Sequence, residues 1–432
     1  MHKKKVFMYF MMIVMIVLLT ACDVVKKPLQ LYVDDQGLRY ELTEDHTYRV
    51  SYGESTEKEV VVLSHINEYP VTEVKAGGFE GLDIDKITLP ETIQSIHEYA
   101  FHQSNLRHVI FSGESQLSLI GISAFSLSIY LTDITIPKSV VTIESFAFYI
   151  TGLKTVIFES DSALKIIGND AFRETFIKEI TIPKSVEVIS PLAFFKTPLE
   201  NVFFESGSVL ESIESSAFQQ TLIQAIDLPD SITSLEDSVF SLTPLKSLYL
   251  PKSLQSINRF TFSGLFLLET LTVDPDNPYF TSLDHVLFSK DLKRLIYFPE
   301  SLPITTYQMP DDVEIIGEYA LAGTTNLNRI VFGEHSNLKE IEYRAFSNSG
   351  IQTMILPESL EIIGAYAFQY SQLTSLNLPV RLRIIDIGFI WPSAITELYY
   401  RGSEEDFQIQ VYTYGNWNID NIPIKFNYED ES

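Results

Sequence analysis

The feature that most constrains this chain is an internal repeat, in which an Ala-Phe pair or a close variant returns along most of the sequence. Neighbouring copies are 21 to 25 residues apart, except for one gap of 59. Such a period predicts a solenoid, because no single unit can bury its own apolar face and stacked units create the core. The repeated positions are Phe79, Phe101, Phe125, Phe148, Phe172, Phe194, Phe218, Phe240, Phe262, Leu321, Phe346, Phe368 and Phe389.

A second pattern begins five or six residues after each of these positions. It is an apolar-x-x-apolar-x-apolar hexad, found in thirteen copies from Ile84–Leu89 to Ile395–Tyr400. Its alternation and its β-branched or aromatic residues are typical of a short strand with one buried face. Proline follows many hexads and ends the strand, because it cannot donate to a strand ladder. We therefore expect a β-rich stack of about 13 coils with one parallel sheet, in which the intervening return segments fill the core with Ile, Ala and Phe.

The complete unit also carries a family resemblance. Residues 356–368 read Leu-Pro-x-Ser-Leu-x-x-Ile-x-x-x-Ala-Phe, which resembles the BspA-type leucine-rich repeat of bacterial surface antigens. Pro or a Glu-Ser turn stands where an ordinary leucine-rich repeat has Asn or Cys. The resemblance covers about residues 38 to 428. It implies a surface-exposed protein, and some members of the family act in adhesion.

The segments around the repeats suggest four parts of the chain. Residues 1–21 are predicted to be a lipoprotein signal peptide, 22–75 a linker and N-terminal hairpin cap, 76–400 the solenoid, and 401–432 a C-terminal cap. Residues 273–309, inside the long gap, resemble the family's inserted hairpin. Caps are also expected on physical grounds, because an exposed solenoid end is an unpaired apolar edge.

The first residues are typical of a secretion signal. Three lysines precede an apolar run of 14 residues, Val6 to Leu19, whereas a membrane span needs roughly 20. Leu19-Thr20-Ala21-Cys22 resembles the lipobox of bacterial lipoproteins. This resemblance implies a diacylglycerol on Cys22, cleavage just before it, and a protein held on the outward face of the bacterial cell membrane. The alternative is a plain membrane anchor with an incidental cysteine.

The cysteine count and the net charge limit what stabilises the chain and which classes of partner it can bind. Cys22 is the only cysteine, so stability must come from packing rather than from an internal disulfide. Removing residues 1–21 takes away three of the 31 basic residues and no acidic one, which leaves 28 − 57 = −29. An acidic body repels nucleic acid and anionic membrane surfaces, so neither is expected as a direct partner.

The sequence offers little catalytic chemistry. No metalloprotease, phosphate-loop or serine-hydrolase motif is present. Asp274-Pro275-Asp276-Asn277 has alternating oxygens, as a calcium loop does, but lacks the following Gly and the distal Glu. A turn is favoured there over a metal site. Although 57 acidic residues are available to a glycosidase, nothing singles out a pair. No catalytic, metal or cofactor site is predicted.

A binding face is the better candidate. The fifth residue of each hexad should point away from the core. Before the insertion, every second coil carries an apolar or aromatic residue there, so these lie about 10 Å apart. Exposed apolar stripes often mark contact sites. The alternatives are that β-branched residues merely suit a flat sheet, or that caps and loops cover them. The predicted face consists of Ile110, Ile157, Phe203, Tyr249, Val331, Ile355 and Tyr399.

These observations favour a lipid-anchored receptor or adhesin that engages a protein or glycan along the exposed sheet. One alternative is a structural envelope protein that associates with itself. Another is an enzyme acting on polysaccharide.

Overall fold

The computed structural model describes residues 28–410, 412–413 and 422–428. The predicted signal peptide and Cys22 lie outside these residues. The described chain is a β-solenoid of stacked parallel coils with almost no helix, which confirms the predicted fold class. A regular coil contributes two strands, one of about four residues and one of two, to two separate ladders.

The stack begins with antiparallel pairing and then becomes parallel. The first three strands are antiparallel neighbours, and the sixth joins the third in parallel. In chain order, these strands are β1 (Leu31–Val33), β2 (Arg39–Leu42), β3 (Tyr48–Ser51), β4 (Glu59–Val61), β5 (His65–Ile66) and β6 (Tyr69–Val74).

Longer and two-residue strands then alternate through the first part of the solenoid, with one exception. The hexad at residues 223–228 forms no strand, although Ile226 and Leu228 are buried as predicted. The strands are β7 (Lys86–Leu89), β8 (Ser95–Ile96), β9 (His108–Phe111), β10 (Leu119–Ile120), β11 (Asp133–Ile136), β12 (Thr142–Ile143), β13 (Thr155–Phe158), β14 (Ile166–Ile167), β15 (Glu179–Ile182), β16 (Val188–Ile189), β17 (Asn201–Phe204), β18 (Ser212–Ile213), β19 (Ser234–Leu235), β20 (Ser247–Leu250), β21 (Ser256–Ile257) and β22 (Thr270–Val273).

Three antiparallel strands interrupt the stack before it resumes. They are β23 (Phe280–Leu283), β24 (Val286–Ser289) and β25 (Arg294–Tyr297). The remaining elements are β26 (Thr306–Gln308), β27 (Ile315–Ile316), β28 (Arg329–Val331), β29 (Glu340–Ile341), β30 (Thr353–Met354), β31 (Ile362–Ile363), β32 (Ser375–Leu378), β33 (Ile384–Ile385), β34 (Glu397–Tyr400), the helix α1 (Glu404–Gln410), β35 (Tyr412–Thr413) and β36 (Ile424–Phe426).

The two ladders differ in continuity. The long-strand column comprises β4, β7, β9, β11, β13, β15, β17, β20, β22, β26, β28, β30, β32, β34 and β36, paired in groups of two or three. The short-strand column comprises β6, β8, β10, β12, β14, β16, β18, β19 and β21 in one sheet, and β25, β27, β29, β31, β33 and β35 in another. The expectation of one parallel sheet therefore differs from the structure, because each return segment also contains a short paired strand. The stack has about 17 coils rather than 13.

A column of phenylalanine rings runs through the first part of the core. From Phe79 to Phe240, successive ring centroids are 5.0 to 5.8 Å apart, and most rings are within 8° of parallel. All these rings are buried, and so is the small residue before most of them, usually Ala. The predicted core positions are thus confirmed.

The core is divided at the interruption. One cluster of buried apolar residues extends from Leu38 to Tyr297, and a second extends from Val286 to Phe407. The ring column changes partner there, since Phe262 stacks on Tyr297 with centroids 4.6 Å apart. The two clusters meet where the antiparallel strands replace a regular coil.

An end turn surrounds each Ala-Phe pair and joins the short-strand column to the next long strand. In one such turn Tyr99 and Gln103 have φ of 57° and 54°, a left-handed conformation that non-glycine residues seldom adopt. Hydrogen bonds to the next coil compensate, since the N–H groups of Tyr99, Phe101 and Gln103 donate to carbonyls 2.7 to 2.9 Å away. The end turns therefore form a ladder of their own.

Within the part of the chain that the structure describes, no helix combines the length and apolar character that crossing a membrane requires.

Candidate functional site

The predicted binding face lies on the outer side of the long-strand column. Ile110, Ile157, Phe203, Tyr249 and Ile355 are all exposed, between 43% and 54%. Their strand neighbours alternate inward, as in β13, where Val156 is buried and Ile157 is exposed. The strand faces were therefore assigned correctly from the hexad pattern.

Two predicted face residues are only half-buried rather than exposed. These are Val331 and Tyr399. The ring of Tyr399 lies 4.5 Å from that of Tyr428, and the Lys425 ammonium lies 5.0 Å from its centroid. The Tyr399 hydroxyl also donates to the Glu397 carboxylate. The chain after β34 therefore occupies this end of the face.

A groove opens on the face between β13 and β17. Strands β13 and β15 belong to different sheets, so the column has no hydrogen-bonded pairing between them. Ile157, Phe176 and Phe203, from three successive coils, line the groove, and Thr181 lies between them on β15. Its volume is about 1050 Å³. This is the place where the exposed apolar residues converge.

Phe176 was missed by the sequence reasoning although it is the most exposed of the three, at 59%. It precedes a hexad directly, and the same position is apolar and exposed in every second coil. The members of this set are Tyr130, Phe176, Leu222 and Leu267. They belong to the coils with Thr or Asp at the fifth hexad position, so the two apolar sets interleave along the face. The alternation itself was the signal that could have revealed them.

Charged side chains of both signs surround the groove. The Lys178 ammonium lies 3.9 Å from the Glu200 carboxylate, and both groups are exposed. Glu205 accepts a hydrogen bond from the backbone N–H of Lys184 at 2.9 Å. Exposed ion pairs of this kind contribute little to stability. They leave a polar rim around an apolar floor, as protein interfaces have.

Tyr249, further along the face, is held by a neighbouring turn. Its hydroxyl donates to Asp274 at 2.7 Å, and this bond holds the pKa of the Asp274 carboxyl below its usual range. Asp274 also accepts from the N–H of Asp276 at 2.8 Å. The same bond raises the pKa of Tyr249.

The Asp274–Asn277 segment is a turn in the structure. Asn277 is fully buried, and its amide donates to the carbonyls of Pro251 and Leu254 while its oxygen accepts from two backbone N–H groups. The side-chain oxygens of Asp274 and Asn277 therefore already have hydrogen-bond partners inside the protein. In the described part of the chain, no group of three His, Cys, Asp or Glu side chains is placed to hold a metal ion.

A smaller groove of about 600 Å³ lies on the same face after the interruption. Val331 and Ile355 line it, and the Arg401–Glu358 ion pair lies at its edge. The long-strand face thus carries a groove in each part of the stack.

Comparison with known proteins identifies the repeat. A family model described as the BspA type leucine rich repeat region (6 copies) matches residues 63–164, 165–292 and 296–419. No curated protein matches the sequence.

Several solved structures are similar to this chain. A leucine-rich repeat protein from Bacteroides ovatus ATCC 8483 is 22% identical, with a TM-score of 0.54, over 91% of this chain and 99% of that one. The pneumococcal vaccine antigen PcpA is 20% identical over 93% and 99%, with a TM-score of 0.45. A leucine rich cell surface protein from Faecalibacterium prausnitzii A2-165 is 16% identical over 89% and 98%, with a TM-score of 0.45.

Proposed function

The chain belongs to the BspA-type leucine-rich repeat family, and from this membership we propose that it is a lipid-anchored cell-surface protein that binds a protein or glycan along its long-strand face. Proteins of this family are generally found at the cell surface, and solenoids of this kind are typically binding scaffolds without enzymatic activity. The adhesin or receptor role and the lipid anchor are the proposed parts.

The observation that carries the proposal is the groove lined by Ile157, Phe176 and Phe203. These side chains are exposed together, although a soluble surface rarely gathers large apolar groups without a function. Aromatic side chains dominate binding hot spots because they supply contact area at low entropic cost. The charge of −29 after signal removal favours a neutral or basic partner.

The double change Phe176→Ser and Phe203→Ser is expected to weaken ligand binding at least about 30-fold, because two aromatic contacts of at least about 1 kcal/mol each are lost together. The ligand is found by screening the protein against matrix proteins and glycans, and affinities are then compared. Thermal stability should barely change, since surface substitutions move it by about 0.5 kcal/mol or less.

A matched control is Tyr99→Ser with Tyr370→Ser. Both tyrosines are exposed aromatic residues that lie in end turns rather than on the long-strand face. This control should bind normally. Full affinity of the folded Phe176/Phe203 variant would contradict the proposed face.

Lipid attachment has its own test. Cys22→Ala is expected to release the protein from the membrane fraction, because the thiol that would carry the diacylglycerol is lost and with it both acyl chains. Detergent phase partitioning measures the change, with Cys22→Ser as a second variant of different polarity. Unchanged partitioning of both variants would point to the plain apolar anchor instead.

Self-association is the second candidate function, and the β1 edge favours it. Leu31 and Val33 are exposed on this outermost strand of the sheet, and unpaired edges can recruit further strands. Concentration-dependent sedimentation would support this candidate, whereas a constant monomeric mass would leave ligand binding as the function.

A further inference from the structure

A cleft separates two end turns at the interruption of the stack. One wall is the turn at residues 258–264 and the other is the turn at residues 317–325, and the volume between them is about 780 Å³. The cleft lies on the end-turn side of the solenoid and shares no lining residue with the groove described above.

A shortened connection explains the cleft. Twelve residues, 258–269, join β21 to β22, and they form a full end turn. In the inserted coil, Leu295 pairs with Ile316 as the end of a regular short strand does, and only ten residues, 296–305, lie between it and β26. The inserted coil therefore crosses the core without a complete end turn, and the space of the missing turn stays open.

The walls carry backbone groups that a further end turn would satisfy. In the regular stack, the backbone N–H of the residue two positions after the core Phe donates a hydrogen bond to a carbonyl of the next coil. The N–H of Leu242, for example, donates to the Gly264 carbonyl at 2.9 Å. Gly264 itself makes no such bond within the described residues, and on the opposite wall the Ala322 carbonyl accepts none. The cleft thus presents a peptide donor on one side and a peptide acceptor on the other.

Glu300 lies in the same cleft without a cation. It is half-buried, and among the described residues it forms no ion pair and its carboxylate accepts no hydrogen bond. Its side chain runs against Gly323, where an added Cβ would lie 2.7 Å from one carboxylate oxygen. Burial raises the pKa of Glu300 to about 7.

The other charged groups in the cleft are already paired. Arg259 forms an ion pair of 2.9 Å with Glu318 across the two walls, and Arg294 forms one of 2.7 Å with Glu342. Beside the first pair, the rings of Phe260 and Tyr319 meet edge to face at 5.3 Å. The cleft is therefore bounded at this side, and Glu300 is the carboxylate left for a ligand.

We propose that this cleft binds a short peptide segment of a partner protein that carries a lysine or arginine. The peptide backbone takes the place of the missing end turn and hydrogen-bonds to the Gly264 N–H and the Ala322 carbonyl. The basic side chain pairs with Glu300. A peptide fits both observations at once, whereas a simple amine satisfies only the carboxylate.

The test uses the blocked peptide acetyl-Ala-Ala-Lys-Ala-Ala-amide with a fluorescent label, titrated with the full chain. Glu300→Gln in the protein is expected to reduce the affinity for this peptide at least tenfold. Replacing the lysine of the peptide by glutamine is expected to have the same effect. The matched control is Glu214→Gln, another partly buried carboxylate whose pKa is raised chiefly by burial, which lies outside the cleft and should change nothing. Unaltered melting temperatures show that both variants fold.

The pH dependence of peptide binding gives an independent readout. A carboxyl group with a pKa of about 7 is mostly neutral at pH 6 and mostly ionised at pH 8, so the peptide should bind roughly tenfold more tightly at pH 8. The other titratable groups that line the cleft are Arg259, Arg294, Tyr297, Glu318, Tyr319 and Glu342, and no histidine lines it. The pH dependence should disappear in Glu300→Gln.

Three results would overturn the proposal. The first is no binding at millimolar peptide, and the second is equal affinity of the wild type and Glu300→Gln. The third is equal binding of a peptide whose backbone amides are methylated, because the Ala322 carbonyl would then have no donor to accept from. The Phe176/Phe203 variant keeps the cleft, so loss of the proposed surface function would be seen separately.

Discussion

Phe218→Ala is expected to lower the free energy of unfolding by about 3–5 kcal/mol, since the change removes a large buried side chain and leaves a cavity. The Phe218 ring is fully buried between Phe194 and Phe240, at centroid distances of 5.3 and 5.8 Å. Chemical denaturation measures the loss. Because each coil contacts mainly its neighbours, hydrogen exchange should accelerate first in the two adjacent coils.

Phe176→Ala is the matched control for this change. Its ring is 59% exposed, so its removal should cost about 0.5 kcal/mol or less. Equal losses for the two variants, or unaltered exchange in the coils beside Phe218, would show that the ring column is not the principal support of the core.

Gly152→Ala is expected to cost about 3 kcal/mol, at the upper end of overpacking effects. A Cβ at this position would lie 2.2 Å from the carbonyl oxygen of Ile129, so the backbone must move. The cause is a length difference. The hexad begins six positions after Phe125, at Leu131, but only five positions after the core Phe in the next coil, and the longer turn presses its carbonyl onto Gly152. Chemical denaturation measures the cost.

The second part of the stack repeats this arrangement, which provides an internal replicate. Gly350 follows another six-residue spacing, and its Cβ would lie 2.3 Å from the Thr325 oxygen. Gly207→Ala is the control, because a Cβ there meets nothing within 4 Å and only its φ of 79° opposes the change. It should cost about 1 kcal/mol. A Gly152→Ala variant no less stable than this control would refute the steric explanation.

The solenoid and its core were predictable because burial imposes a period on the sequence. Phe218 and the hexad residues must face inward in every coil, so their positions recur whatever the exposed residues do. The exposed side of the strands followed directly, as Ile157 and Phe203 show. Burial periodicity therefore carries the architecture.

The two-residue strands and the lengths of the loops could not be predicted from the period of buried residues. Two-residue strands such as β10 and β12 are too short for alternation to mark them as strands, although their isoleucines are buried. Phe176 lies before its hexad, outside the pattern that defined the face. The cleft depends on the absence of two residues between Leu295 and β26 relative to a regular coil, and a missing turn leaves no residue type to recognise.

The alternation of exposed side chains also determines how many coils must be duplicated together for the pattern to be kept. Ile110, Ile157, Phe203 and Tyr249 follow one another at 47, 46 and 46 residues, which is two coils. Duplicating a single coil would place two apolar or two polar coils side by side and shift every later coil out of phase. Duplicating a pair keeps the phase and adds another surface of the same design. Genes for such chains can therefore lengthen or shorten by coil pairs while the spacing presented to a partner stays constant.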